Sequence, residues 1–158
     1  MGNLAAGKPA PLFTLSANDG RKVALKDFQG KKRVVLYFYP KDDTPGCTVE
    51  ACGFRDHHKQ IENESAVVLG ISPDGVDRHQ KFIEKFKLPF LLLADEAKEV
   101  CQKYGVWVKK SMYGKSYMGV ARTTFIIGKD GKIEKIYEKV KPEGHDKEVL
   151  SFLKEASS

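Results

Sequence analysis

The sequence predicts a mixed α/β fold: a central sheet with helices on both faces, preceded by an N-terminal β-hairpin. Three observations predict it. The runs "RVVLYFY" and "SAVVLGIS" are continuous, with no polar alternation, as in strands buried on both faces. Helical patterns alternate with such runs, as parallel strands joined by crossovers require. A hairpin and a helix close the chain, and they make the sheet mixed.

Each element follows in chain order. "PLFTLSANDGRKVALKDF" reads as two short strands around the turn "NDGR". "RVVLYFY" is the central strand, and a helix is expected from about Thr44 to Ile61. "SAVVLGIS" is the next buried strand, and "DGVDRHQKFIEKF" a helix. "FLLLAD" is a third strand, and "EAKEVCQKYGV" a short helix ending near Gly105. "MYGKSYMGVA" has no decisive period. "RTTFIIGKDGKIEKIYE" is a hairpin turning at "KDG". "HDKEVLSFLKEA" ends the chain as an amphipathic helix with Val149, Leu150 and Leu153 on its apolar face.

No repeat or linker-like shift divides the chain, so residues 1–158 are expected to form one domain. Three cysteines are too few for a disulfide scaffold, which points to a reducing compartment and a cytoplasmic protein. The start "MGNLAAGKPAPLFTL" lacks the basic patch and apolar stretch of a secretory signal, and no run is long enough to span a membrane. The net charge of +6 is spread along the chain rather than clustered, so it argues for a solvated lysine-rich surface and against nucleic-acid binding.

The chemistry is expected in "YPKDDTPGCTVEACGFRD". Thr44 suits a helix N-cap, and Pro45 then falls at the first helical position, where its missing N–H costs nothing. Cys47 lies in the first turn, near unpaired amides and the positive end of the helix dipole. Both favour the thiolate, which is the nucleophile. Ala51, Phe54, His58 and Ile61 share its stripe, so the sulfur should face inward. Cys52 is turned about 140° away and its Cα lies roughly 8.6 Å off along an ideal helix. A disulfide needs less than about 7 Å, so the two can bond only if the first turns unwind. Inert packing is the competing reading, stronger for Cys52 than for Cys47. Cys101, in "EVCQKYG", reads chiefly as a core cysteine, with a resolving role the alternative. The four histidines and three cysteines show no zinc-ligand spacing, and there is no nucleotide-binding glycine motif. No metal or cofactor is expected.

Pro40, Thr44 and Cys47 spell P-x-x-x-T-x-x-C, which resembles the active-site signature of peroxiredoxins. "GCTVEACGFRD", "VLGIS" and "YGKSYMGVARTTFIIGKDGKI" extend the resemblance over nearly the whole chain, to the Q-type or bacterioferritin comigratory protein subfamily. The resemblance implies a thioredoxin-like three-layer α/β/α fold and reduction of hydrogen peroxide and organic hydroperoxides. By position it makes Cys47 the peroxidatic cysteine and Cys52 the resolving one. It gives Thr44 a hydrogen bond to the thiolate and the peroxide, and Pro40 the task of shielding the sulfur. Arg122 would stabilise the thiolate and the developing oxygen charge. Glu50 would orient an arginine, either Arg122 or Arg55. The implied reductant is thioredoxin or a similar dithiol, and the implied state is a monomer. The alternative is a peroxide sensor that passes its oxidation to a partner protein. A disulfide oxidoreductase is disfavoured, because C-x-x-C is missing from the helix start.

Overall fold

A computed structural model describes residues 4–157. The opening residues Met1–Asn3, part of the segment that does not read as a signal, lie outside the described residues. The predicted N-terminal hairpin is present: β1 (Thr14–Ala17) pairs antiparallel with β2 (Lys22–Ala24). The central run forms β3 (Arg33–Phe38), parallel to β4 (Ala66–Ser72) and antiparallel to β8 (Thr123–Ile127). With β5 (Leu91–Ala94) and β9 (Ile133–Tyr137) the mixed sheet has seven strands, ordered β2-β1-β5-β4-β3-β8-β9.

Alternation along β3 divides the core in two. Val34, Leu36 and Phe38 face one cluster; Val35, Tyr37 and the following Tyr39 face the other. The second cluster is covered by helices α1 (Pro45–Asp56), α2 (His58–Asn63), α3 (Val76–Phe86) and α5 (His145–Ser157). The predicted face of the last helix is right, since Val149, Leu150 and Leu153 are all buried there. The first cluster is closed by the N-terminal hairpin, by α4 (Glu99–Lys103) and by Val106 and Val120. Helices on both faces of a mixed sheet make the expected thioredoxin-like layering.

Two local expectations differ. The helix expected to run on to Ile61 is broken at His57, which sits at φ −110°, ψ 13°. The break lasts one residue near the bridge region, so Phe54 and Ile61 both stay buried and the apolar stripe conceals it. "MYGKSYMGVA" contributes to a separate ribbon, β6 (Trp107–Met112) paired with β7 (Lys115–Val120). Tyr113 and Gly114 at its tip both have positive φ, as a two-residue type I′ turn requires.

Candidate active site

The site lies where β3 gives way to α1. Thr44 takes the N-cap position and Pro45 the first helical one, and the Thr48 N–H closes the turn on the Thr44 carbonyl at 2.8 Å. The expected side-chain cap does not form. Instead the Thr44 hydroxyl donates to the Lys41 carbonyl at 3.0 Å, which leaves the helix start uncapped by any side chain. With its proton engaged there, the hydroxyl does not donate to the sulfur but can still accept from a substrate O–H.

Cys47 is buried, 1% exposed, against Ala51, Phe54 and Tyr37 in the second cluster. The Arg122 Nη2 donates to its sulfur at 3.3 Å, reaching across 75 residues from the junction of β7 and β8. The Arg122 Nη1 donates to Glu50 Oε1 at 2.7 Å. Cys47 and Glu50 stand three residues apart on one helix face, so a single planar guanidinium spans both. This decides which arginine Glu50 meets: Arg55 is engaged with Asp56 and the Phe86 carbonyl. Burial pushes the Glu50 carboxyl up to about 7, with Arg122 pulling against it. Burial also opposes the charge of Arg122, but Glu50 and Cys47 outweigh it and hold the guanidinium above its ordinary value. Gly46 makes room for this arm, since a Cβ there would meet Arg122 Nη2 at 3.1 Å.

Pro40 is half-buried in the loop before the helix. Beside the helix start, Pro45, Gly46, Val49, Lys141, Pro142 and Glu143 line an open groove of about 490 Å³. Cys52 is half-buried and unbonded within the same unbroken helix as Cys47. Cys101 is fully buried in the first cluster, across the sheet from Cys47.

The sequence reading missed three groups near this site. Tyr37 is buried with its hydroxyl unpartnered, and burial, then Glu50 and Cys47, hold its pKa well above the usual phenol. Lys110 of β6 is half-buried with its pKa lowered, by burial first and then by Arg122, while Cys47 pulls the other way. Asp42 and His79 form a buried pair beside the loop. His79 alone had a legible signal, since it shares a helical stripe with Phe82 and Phe86. Among the described residues no cluster of metal-ligating side chains occurs, and no helix is long and apolar enough to cross a membrane.

A thioredoxin-like sheet bearing a buried cysteine at a helix start, under an arginine, is the architecture of a peroxiredoxin. The chain belongs to the AhpC/TSA family, whose model matches residues 6–136. It is similar to Peroxiredoxin Bcp of Escherichia coli, 48% identical over 155 residues that cover 98% of this chain and 99% of the relative. A mutant of Xylella fastidiosa PrxQ superposes with a TM-score of 0.94 at 33% identity, covering the whole of both chains. The Xanthomonas campestris bacterioferritin comigratory protein superposes at 0.90 with 33% identity, over 98% of this chain and 100% of that one. Its structures are described as trapped intermediate and ligand complexes bearing on alkyl peroxide reduction. Membership brings thiol peroxidase activity: the protein is an antioxidant oxidoreductase that reduces peroxides.

Proposed function

We propose that Cys47 is the peroxidatic cysteine and Cys52 its resolving partner, in a cycle completed by thioredoxin or a similar dithiol. The observation that carries this reading is the Arg122 guanidinium, 3.3 Å from the buried Cys47 sulfur and held on its far side by Glu50. A fixed cation there favours the thiolate and stabilises charge developing on the peroxide oxygens. The thiolate attacks the nearer oxygen; the S–O bond forms, the O–O bond breaks, and the departing oxygen takes a proton to leave as water or alcohol. Thr44 accepts from the peroxide hydroxyl, and Pro40 limits the approach of bulk water.

The sulfenic acid then meets Cys52. The Cys52 sulfur forms the S–S bond as the S–O bond breaks and water departs. Both cysteines lie within α1, so its first turns unwind for this step. The external dithiol returns two electrons and restores two thiols. The groove beside Pro45 and Val49 accommodates the alkyl part of an organic hydroperoxide, and hydrogen peroxide needs none of it. The 158-residue chain acts as one domain, as a monomer, in the cytoplasm.

Mass spectrometry under non-reducing conditions, after one equivalent of hydrogen peroxide, tests the cycle in wild type and Cys52→Ser. The expected result is loss of two hydrogens mapping to Cys47–Cys52, replaced in the variant by a Cys47 sulfenic or sulfinic acid. Cys47 remaining reduced in both proteins overturns the peroxidatic assignment. A Cys47–Cys101 link overturns the resolving one. Stable mixed disulfides with a single protein, and no turnover with thioredoxin, favour the sensor instead.

A further inference from the structure

We infer that Asp42, His79 and Tyr39 are positioning residues for the peroxide reaction: a buried hydrogen-bonded clamp that holds the loop carrying Pro40 and Thr44 over Cys47. The inference rests on Cys47 being the peroxidatic residue.

Asp42 lies in the short loop between β3 and α1, two residues after Pro40 and two before Thr44. Its neighbours Lys41 and Asp43 are exposed, and a carboxylate at such a place would ordinarily be solvated. It is instead buried, 2% exposed. The Tyr39 hydroxyl donates to Asp42 Oδ1 at 2.5 Å, and His79 Nδ1 lies 2.6 Å from Oδ2. The other ring nitrogen of His79 is 3.0 Å from the Leu93 carbonyl at the end of β5, so the ring ties the loop to the sheet through α3. The loop backbone is fastened too: the Asp42 N–H donates to Asp74 Oδ2 at 2.6 Å, and Asp74 is itself held by Ser72.

None of these groups touches the Cys47 sulfur, so the clamp acts through the chain. At the far end of the reacting segment, Phe54 is buried against Tyr37, with ring centroids 5.0 Å apart. Gly53 there admits Asp146 of α5, and a Cβ in its place would come within 2.7 Å of that carboxylate. Residues 43–53 therefore run between two anchored points. The helix start can open for Cys52 while the loop base at Pro40 and Asp42 stays in place. When α1 refolds, Thr44 and the first-turn amides return to the same position over the sulfur.

Two rates test the clamp, each on chains verified as folded. The first is the second-order rate of Cys47 oxidation by hydrogen peroxide in a Cys52→Ser background. The second is disulfide closure from the sulfenic acid with Cys52 present. Asp42→Ala and His79→Leu are expected to slow the first at least tenfold and to leave the second unchanged or faster. Asp42→Asn is the rescue. Its amide N–H can donate to His79 Nδ1 while its oxygen still accepts from Tyr39, so oxidation should return to within threefold of the parent. Tyr39→Phe removes one bond and keeps the packing, so it should slow oxidation about threefold and gives a readout even where the larger changes prevent folding. Val23→Ala, in the opposite core cluster, should leave both rates unchanged after a comparable loss of stability. The clamp is refuted if Asp42→Ala, His79→Leu and Tyr39→Phe all oxidise at the parent rate, or if Asp42→Asn fails as badly as Asp42→Ala. A parent that itself shows no Cys47 oxidation overturns the peroxidatic assignment, which is a separate outcome.

Discussion

Cys47 and Cys101 are equally hidden, at 1% and 0% exposure, on opposite faces of one sheet, yet their surroundings oppose each other. At the start of α1 the cap hydroxyl turns away to Lys41, and a guanidinium reaches the Cys47 sulfur. At α4 the place of the anion is already taken: Asp95 accepts from the Val100 and Cys101 N–H groups at 3.3 and 2.8 Å. Burial, with the Asp95 carboxylate adding to it, pushes the Cys101 thiol far up. Burial disfavours a thiolate wherever it occurs, and the sign of the nearest fixed charge decides whether that is opposed, as beside Arg122, or reinforced, as beside Asp95.

The largest effect should separate the two cysteines outright. Cys47→Ser is expected to lower peroxide reduction by at least about 10⁴-fold, whereas Cys101→Ser stays within about twofold and costs about 1–3 kcal/mol of stability for the hydroxyl it buries. Steady-state turnover and denaturant unfolding report these. A loss of turnover in Cys101→Ser would break the comparison.

The next effect concerns the cation. Arg122→Ala is expected to slow Cys47 oxidation by about 10²–10³-fold, the usual scale for removing one donor from a developing oxyanion. Arg122→Lys should recover part of this, since an ammonium keeps the charge but cannot bridge Cys47 and Glu50 as the planar fork does. Stopped-flow oxidation of the three proteins measures the order, and equal rates would remove Arg122 from the mechanism.

Glu50 supplies the third. Its carboxyl titrates near 7 when folded, against 4.5 ordinarily, so between those values the folded chain keeps a proton that the unfolded chain has released. Its contribution is therefore complete below about pH 4.5 and is lost as pH rises through about 7, falling by about 3 kcal/mol. Glu50→Gln should remove that slope, so the stability of wild type relative to the variant should fall across this window and level off above it. Urea unfolding at pH 4.5, 6 and 8 reads this; parallel curves would mean Glu50 does not titrate there.

The smallest effect sharpens the comparison from the Cys101 side. Burial is the larger cause of that thiol's raised pKa and Asp95 the lesser. Asp95→Asn should therefore raise native-state alkylation of Cys101 by less than about tenfold, leaving it far behind Cys47. A Cys101 that became as reactive as Cys47 would show that charge, and not burial, had kept it silent.

Much of this was legible because it is local. The buried runs became β3 and β4, and Val149, Leu150 and Leu153 faced inward because a 3.6-residue period leaves them one face. Thr44-Pro45 marked the start of α1 correctly, since φ preference and a missing N–H are properties of the residues themselves. The break at His57 escaped notice because a one-residue interruption keeps the apolar stripe in phase. The β6–β7 ribbon escaped because its side chains are mostly exposed and carry no burial pattern. The direction of the Thr44 hydroxyl was not legible, because the shape of the loop before α1 decides that the Lys41 carbonyl lies within its reach.

The sequence by itself determined the order of strands and helices outside the β6–β7 ribbon, the placing of Cys47 in a first helical turn, and that a Cys47–Cys52 bond cannot form while α1 is intact. Those follow from periodicity, capping and helical rise, which involve neighbours along the chain. Only the tertiary structure decided that Glu50 meets Arg122 and not Arg55, that Cys101 lies across the sheet, and that Asp42 is buried against His79, 37 residues on. Each of these is a contact across space. It depends on which strands pair and which sheet face a helix covers, and no spacing along the chain encodes that.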